Sequence, residues 1–185
     1  MEEIYLKIKE MCLASKTTNP TKLVTTIMNE DFIHIHGPEH HILDGACLLS
    51  AIFNAGLSFN LENALDEMIC IGKQMPGATC EKWGICGSSA SIGEALSIIY
   101  KTDPLSHDQY YKDHLNLTSK ILNHIALIGG PRCCKRNAFI ALQMAIDFVN
   151  ETYSIQLTKN EIKCTFSNKN QQCLHEACPF FQNEY

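Results

Sequence analysis

The chain has no apolar run approaching the ~20 residues that a membrane-spanning helix needs. Its first twelve residues, MEEIYLKIKEMC, lack the basic start and apolar centre of a secretory signal. These absences predict a cytoplasmic protein without a membrane partner, in a compartment where thiols stay reduced. Positive charge is also scarce. Fifteen Lys and Arg stand against twenty Asp and Glu, for a net charge of -5, which gives no general pull toward nucleic acid. Low-complexity segments and a polar linker are missing too, so the 185 residues, 45% of them hydrophobic, are expected to fold as one domain over residues 1–185. No Cys-x-x-Cys occurs, which ranks a metal-free thiol oxidoreductase last among the readings. The Glu-x-x spacing of helical zinc proteases is absent from the histidine-rich stretch.

Cysteine is abundant by contrast, with ten in the chain. In a reducing compartment, clustered cysteines more often bind metal or carry redox chemistry than form a disulfide framework. Histidine is local: four of eight lie in HIHGPEHH, residues 34–41.

Apolar spacing reads as helical along most of the chain. Ile4, Ile8, Met11 and Cys12 form one stripe, and Asn19-Pro20 suits the next helix start. Ile42, Ala46, Leu49 and Phe53 continue from Pro38 to about Gly56. Leu61, Leu65 and Met68 run to Gly72. Ile92, Ala95, Leu96 and Ile99 follow a loop at 74–89. Ser106 with Gln109 fits a capping box for a helix reaching Gly129. Phe139, Leu142, Ile146 and Val149 stripe a helix beginning at Pro131, and Thr158 with Glu161 suggests a last short cap. The tail, 164–181, has no helical period. The expected fold is all-α, a bundle of roughly seven helices with an irregular Cys-rich C-terminal tail.

Two helix starts share one pattern. Gly37-Pro38-Glu39-His40-His41 and Gly130-Pro131-Arg132-Cys133-Cys134 each run Gly, Pro, charge, ligand, ligand. The first turn of a helix has free N–H groups and partial positive charge, which favour thiolate and anions. His36 and His40 can reach one point across the Gly-Pro turn, with Glu39 or His41 to carry protons. Singly, each histidine is more simply a cap. Cys80 and Cys86 flank a Gly-containing loop and can face one metal, as can Cys133 and the tail residues Cys164, Cys173 and Cys178. Cys134 is left as a reactive or buried thiol beside Cys133. Arg132, Lys135 and Arg136 either form a solvated face or hold a phosphate or carboxylate. Cys12, Cys47 and Cys70 lie on helical stripes and read as core residues.

The stretches HGPEHHILDGACLL, CEKWGICGSSASIG, GGPRCCKRNAFIA and CTFSNKNQQCLHEACPF resemble successive motifs of an uncharacterised domain-of-unknown-function family (number 5714). The resemblance covers residues 32–181. That family is found largely in anaerobic bacteria and archaea, and some members are joined to a methyltransferase domain. The resemblance implies that these Cys and His positions belong to a family pattern, and that a methyltransferase or redox protein is a partner. Its anaerobic setting favours an iron–sulfur cluster, of the 4Fe-4S kind, over zinc. The chain itself has no Gly-rich strand-to-helix signature for S-adenosylmethionine. The expected function is a metal-dependent, iron–sulfur enzyme acting on a small anionic substrate, by sulfur or one-carbon group transfer. The alternatives are a zinc-stabilised binding module without catalysis and the thiol oxidoreductase.

Overall fold

The computed structural model describes residues 1–182, and these form eight α-helices and no strand. They are α1 (Glu2–Ala14), α2 (Pro20–Met28), α3 (His40–Asn54), α4 (Leu61–Gly72), α5 (Thr79–Lys82), α6 (Gly87–Tyr100), α7 (Gln109–Ile128) and α8 (Cys134–Thr152). Two 3-10 turns, Ser167–Lys169 and His175–Ala177, are the regular structure of the tail.

Helix α3 is the axis of the bundle. Every residue from His40 to Ile52 is buried, as expected of a helix surrounded on all sides. Helices α1, α2, α4, α6 and α8 pack around it, and α7 lies outside against α6 and α8. Small residues set the closest crossings. The Gly45 N–H donates to Ser91 Oγ at 2.8 Å where α3 meets α6. Gly93 of α6 faces Thr118 of α7, where a side chain would collide.

Helix starts follow local chemistry. Asn19 caps α2 through Oδ1 at 3.0 Å from the Lys22 N–H, with Pro20 as first residue. Gly129, at φ 78°, ends α7. Three expectations are corrected. Asp108, not Ser106, caps α7 by accepting from the Tyr111 N–H, while Ser106 closes a turn with Asp103. No helix forms at Thr158–Glu161, because both ends of the Asn150 amide hold the Leu157 backbone in extended chain. The 74–89 loop contains the one-turn α5, which periodicity cannot detect. Cys12 and Cys47 are core residues, whereas Cys70 is exposed on α4.

The tail is anchored by more than its cysteines. Phe166 and Phe180 are buried, and Phe180 meets Phe139 of α8 edge-on at 5.4 Å. The Cys164 N–H donates to the Phe180 carbonyl at 2.9 Å, closing the tail on itself.

Between α4 and α6 lies a half-buried carboxylate, Glu94. Burial, and then the neighbouring Glu67, push Glu94 from the ordinary 4.5 to about 8, and its Oε1 has no hydrogen-bond partner. Folded protein therefore keeps a proton that unfolded chain releases across this window. Stability should fall as pH rises from about 4.5 to about 8, by at most about 1.4 kcal/mol per pH unit from this group. Glu94→Gln should flatten that slope, so its urea midpoint should match wild type at the acid end and exceed it at pH 8. Parallel curves would mean that Glu94 titrates as a solvated acid.

Candidate functional site

The starts of α3, α6 and α8 converge on a cavity of about 290 Å³. Helix α3 contributes His40 and His41 as its first residues, α6 contributes its cap Cys86, and α8 contributes its first residue Cys134. His36 lines one side, with Cys80 of α5 and Arg132 at exposed positions of the rim. A second, more open cleft of about 550 Å³ shares Cys80, Cys86, Arg132 and Asn137 and extends toward α7.

The sulfurs of Cys86 and Cys134 and the rings of His36, His40 and His41 are each held by backbone or amide. Cys86 Sγ accepts from Asn137 Nδ2 at 3.2 Å and faces the Ser88 and Ser89 N–H groups. Burial outweighs these donors and pushes the Cys86 thiol up. Cys134 accepts from the Gly37 N–H, yet burial raises it to about 12. The His41 ring fits only because residue 87 is glycine, since a Cβ there would collide with the imidazole. His41 Nδ1 meets the Met75 carbonyl at 3.4 Å. Burial lowers the pKa of both His41 and His36, so both favour the neutral, basic form.

Behind this cavity lies a buried charged layer. Glu39 is fully buried and its Oε1 accepts from the His34 N–H at 2.9 Å. Asp44 is likewise 0% exposed, and neither of its oxygens has a hydrogen-bond partner. Lys135 is 1% exposed, and burial lowers it to about 8 despite the attraction of Glu39 and Asp44. Its Nζ finds no acceptor and sits 5.0 Å from the centre of the Phe166 ring.

The other cysteines form a separate centre. Cys133, the cap of α8, shares a cavity of about 20 Å³ with Cys164, Cys173 and Cys178, walled by Phe139, Phe166 and Phe180. Backbone N–H groups point at three of the sulfurs. Arg136 N lies 3.4 Å from Cys133 Sγ, Phe166 N lies 3.5 Å from Cys164 Sγ, and His175 N lies 3.4 Å from Cys173 Sγ. Such donors stabilise sulfur in its anionic, ligating form. The four thiols are a donor set suited to zinc or iron. Among the described residues, no group of three or more His, Cys, Asp or Glu stands arranged to hold a metal ion.

Asn170 joins the two regions. Its Oδ1 lies 3.1 Å from His36 Nε2 and its Nδ2 lies 3.5 Å from Cys133 Sγ.

The predicted residues thus divide in two. His36, His40, His41, Cys80, Cys86, Arg132 and Cys134 surround one cavity; Cys133, Cys164, Cys173 and Cys178 surround another. Three expected site residues are placed elsewhere. Glu39 faces His34 rather than the cavity. Lys135 is buried too deeply to meet a soluble anion. Arg136 spends its Nη2 on the Gly129 and Pro131 carbonyls, pinning the turn before α8. The helix expected from Pro131 begins at Cys134, after that turn. Sequence reading passed over Asp44, Asn137 and Asn170. Only Asp44 carried a local signal, its i+4 spacing from His40.

Over residues 8–181 the chain matches a family of unknown function (DUF5714), and it belongs to that family. No curated protein and no solved structure matches it.

Proposed function

We propose that this member of the DUF5714 family is a metal-dependent enzyme in which the tail thiols hold a metal and the adjoining cavity receives a small anionic substrate. The observation that carries the substrate class is the convergence of three long helix starts with Arg132 on one cavity. The positive ends of these helices favour an anion there. Ser88, 1% exposed and lining the cavity, has an Oγ with no partner and supplies a further donor. Neutral His36 and His41 can take a proton beside the bound anion. Free thiols in the same cavity, Cys80 nearest solvent, suit transfer of a sulfur or one-carbon group.

The tail centre bears on the metal. A space of about 20 Å³ is close to that of a single water, so it favours one tetrahedral ion on four thiolates, zinc before iron. An iron–sulfur cluster on the same thiolates is the second reading, and needs a wider cavity. The zinc-stabilised binding module shares this centre, since a closed four-ligand site is the structural kind. It differs in having no anion at the cavity.

Arg132→Ala separates these. It should weaken binding of inorganic phosphate or sulfate about tenfold, the loss expected for one charge-assisted contact. Metal content should not change, because guanidinium cannot ligate a cation. Titration calorimetry of the full chain reads both halves. Wild-type protein that binds neither anion would remove the enzyme reading and leave the module.

A further inference from the structure

His40, which lines the cavity, and Asp44, in the buried layer behind it, do not satisfy each other. His40 Nε2 faces the His34 carbonyl at 3.3 Å, so it carries the ring proton and donates there. Its Nδ1 faces Asp44 Oδ1, 3.9 Å away. That distance is too long for a hydrogen bond. His40 is 1% exposed and Asp44 is 0% exposed, and His40 Nδ1 and both Asp44 oxygens lack any partner. Such a buried pair needs a proton or a metal cation between its members. Lys135 does not serve, since its Nζ makes no hydrogen bond of its own.

The surrounding chemistry says which cation. His40 and Asp44 are four residues apart on one face of α3, a spacing that lets two side chains grip one ion. A ligating histidine is normally oriented by a carbonyl at its other nitrogen, and His34 supplies one. Cys86 and Cys134 enter the same cavity from α6 and α8, and both feel the Asp44 charge. Their sulfurs already receive N–H donors from Asn137 and Gly37. One nitrogen, one carboxylate and two sulfurs make a mixed donor set that suits zinc.

We infer that His40, Asp44, Cys86 and Cys134, which do not stand arranged for a metal ion, close on a zinc-class divalent ion as a second metal site, distinct from the four-cysteine centre. The inference deepens the reading of this cavity as an enzyme site and is independent of the tail centre. An ion there would place positive charge where the three helix starts already favour an anion.

Cobalt(II) titration of metal-free full-length protein, followed in the visible and near-ultraviolet, tests it. Wild type should take two equivalents with different spectra, one of pure thiolate character and one of mixed character. Asp44→Asn and Cys134→Ser should each lose the mixed equivalent and keep the other. Cys173→Ala should do the reverse. Wild type taking a single equivalent that Cys173→Ala abolishes would overturn the inference, and would mean that His40 is an imidazolium paired with Asp44. Folded Asp44→Asn retaining both spectra would also overturn it. If Cys173→Ala keeps both equivalents, the tail reading fails while this one stands. The wild-type titration decides even where a variant does not fold.

Discussion

Cys178→Ala or Cys173→Ala should strip one metal ion from the protein and release the tail. Zinc content should fall by one equivalent per chain, and protease should cut within residues 164–181 many times faster. Free energies of metal binding at structural thiolate sites are about 10–16 kcal/mol, so losing one of four ligands removes most of what closes this segment. The helices should persist. Phe166 and Phe180 stay in the core, Phe180 against Phe139 of α8, and of the tail thiols only Cys164 and Cys178 touch that core, at its edge. Cys47→Ala, a fully buried thiol on α3, is the control. It should cost about 1 kcal/mol or somewhat more and leave the metal in place. Protein prepared without oxygen should be colourless. A brown preparation with iron and acid-labile sulfide in equal amounts would overturn the single-ion reading in favour of a cluster. Tail variants that keep full metal and full protease resistance would overturn the staple itself.

Gly45→Ala should be strongly destabilising. A Cβ at this position would lie 2.6 Å from the Ser91 carbonyl oxygen and 2.7 Å from Ser91 Oγ. The first of these is helix backbone, so no rotamer change can relieve it. Helices α3 and α6 must separate, and the hydrogen bond from Gly45 N to Ser91 Oγ goes with them. Overpacking of this kind costs about 3 kcal/mol at its upper end. Because α3 and α6 also carry His40, His41 and Cys86 into the cavity, anion affinity should fall together with the chemical-denaturation midpoint. An unchanged midpoint would mean that the crossing has slack.

Most of the bundle was legible because its helices carry regular apolar stripes and ordinary stop signals. Ile42, Ala46 and Leu49 disclosed α3, and Gly72 and Gly129 sit at helix ends where glycine was expected. The capping of α7 was not legible, since Ser106 and Asp108 both offer a side-chain oxygen at a helix start. Only the fold of the preceding turn commits Ser106 to Asp103. Proximity of the histidine and cysteine helix starts was readable from their shared pattern. Division of the cysteines was not. Cys133 and Cys134 are neighbours in sequence, but one is a cap and the next begins the helix, so their sulfurs enter different cavities. Lys135 and Arg136 looked like a surface charge run, because nothing local reveals that α8 starts in the interior. Asp44 hid inside an apolar stripe, where a polar residue has no periodic signature.

Asn170 has a directional consequence. An amide has one donating and one accepting end, and the two are not interchangeable. With its nitrogen given to Cys133 Sγ, its oxygen must receive from His36 Nε2 and from the Gln172 N–H. His36 is thereby fixed as the Nε2–H tautomer, and its buried Nδ1 is left bare. A residue 134 positions away thus dictates which nitrogen of His36 is basic. Replacement by aspartate would keep the shape and reverse the polarity, setting carboxylate oxygen against sulfur. The tail, irregular as it is, therefore polarises the histidine loop and sets the proton position on His36, which the loop's own sequence does not encode.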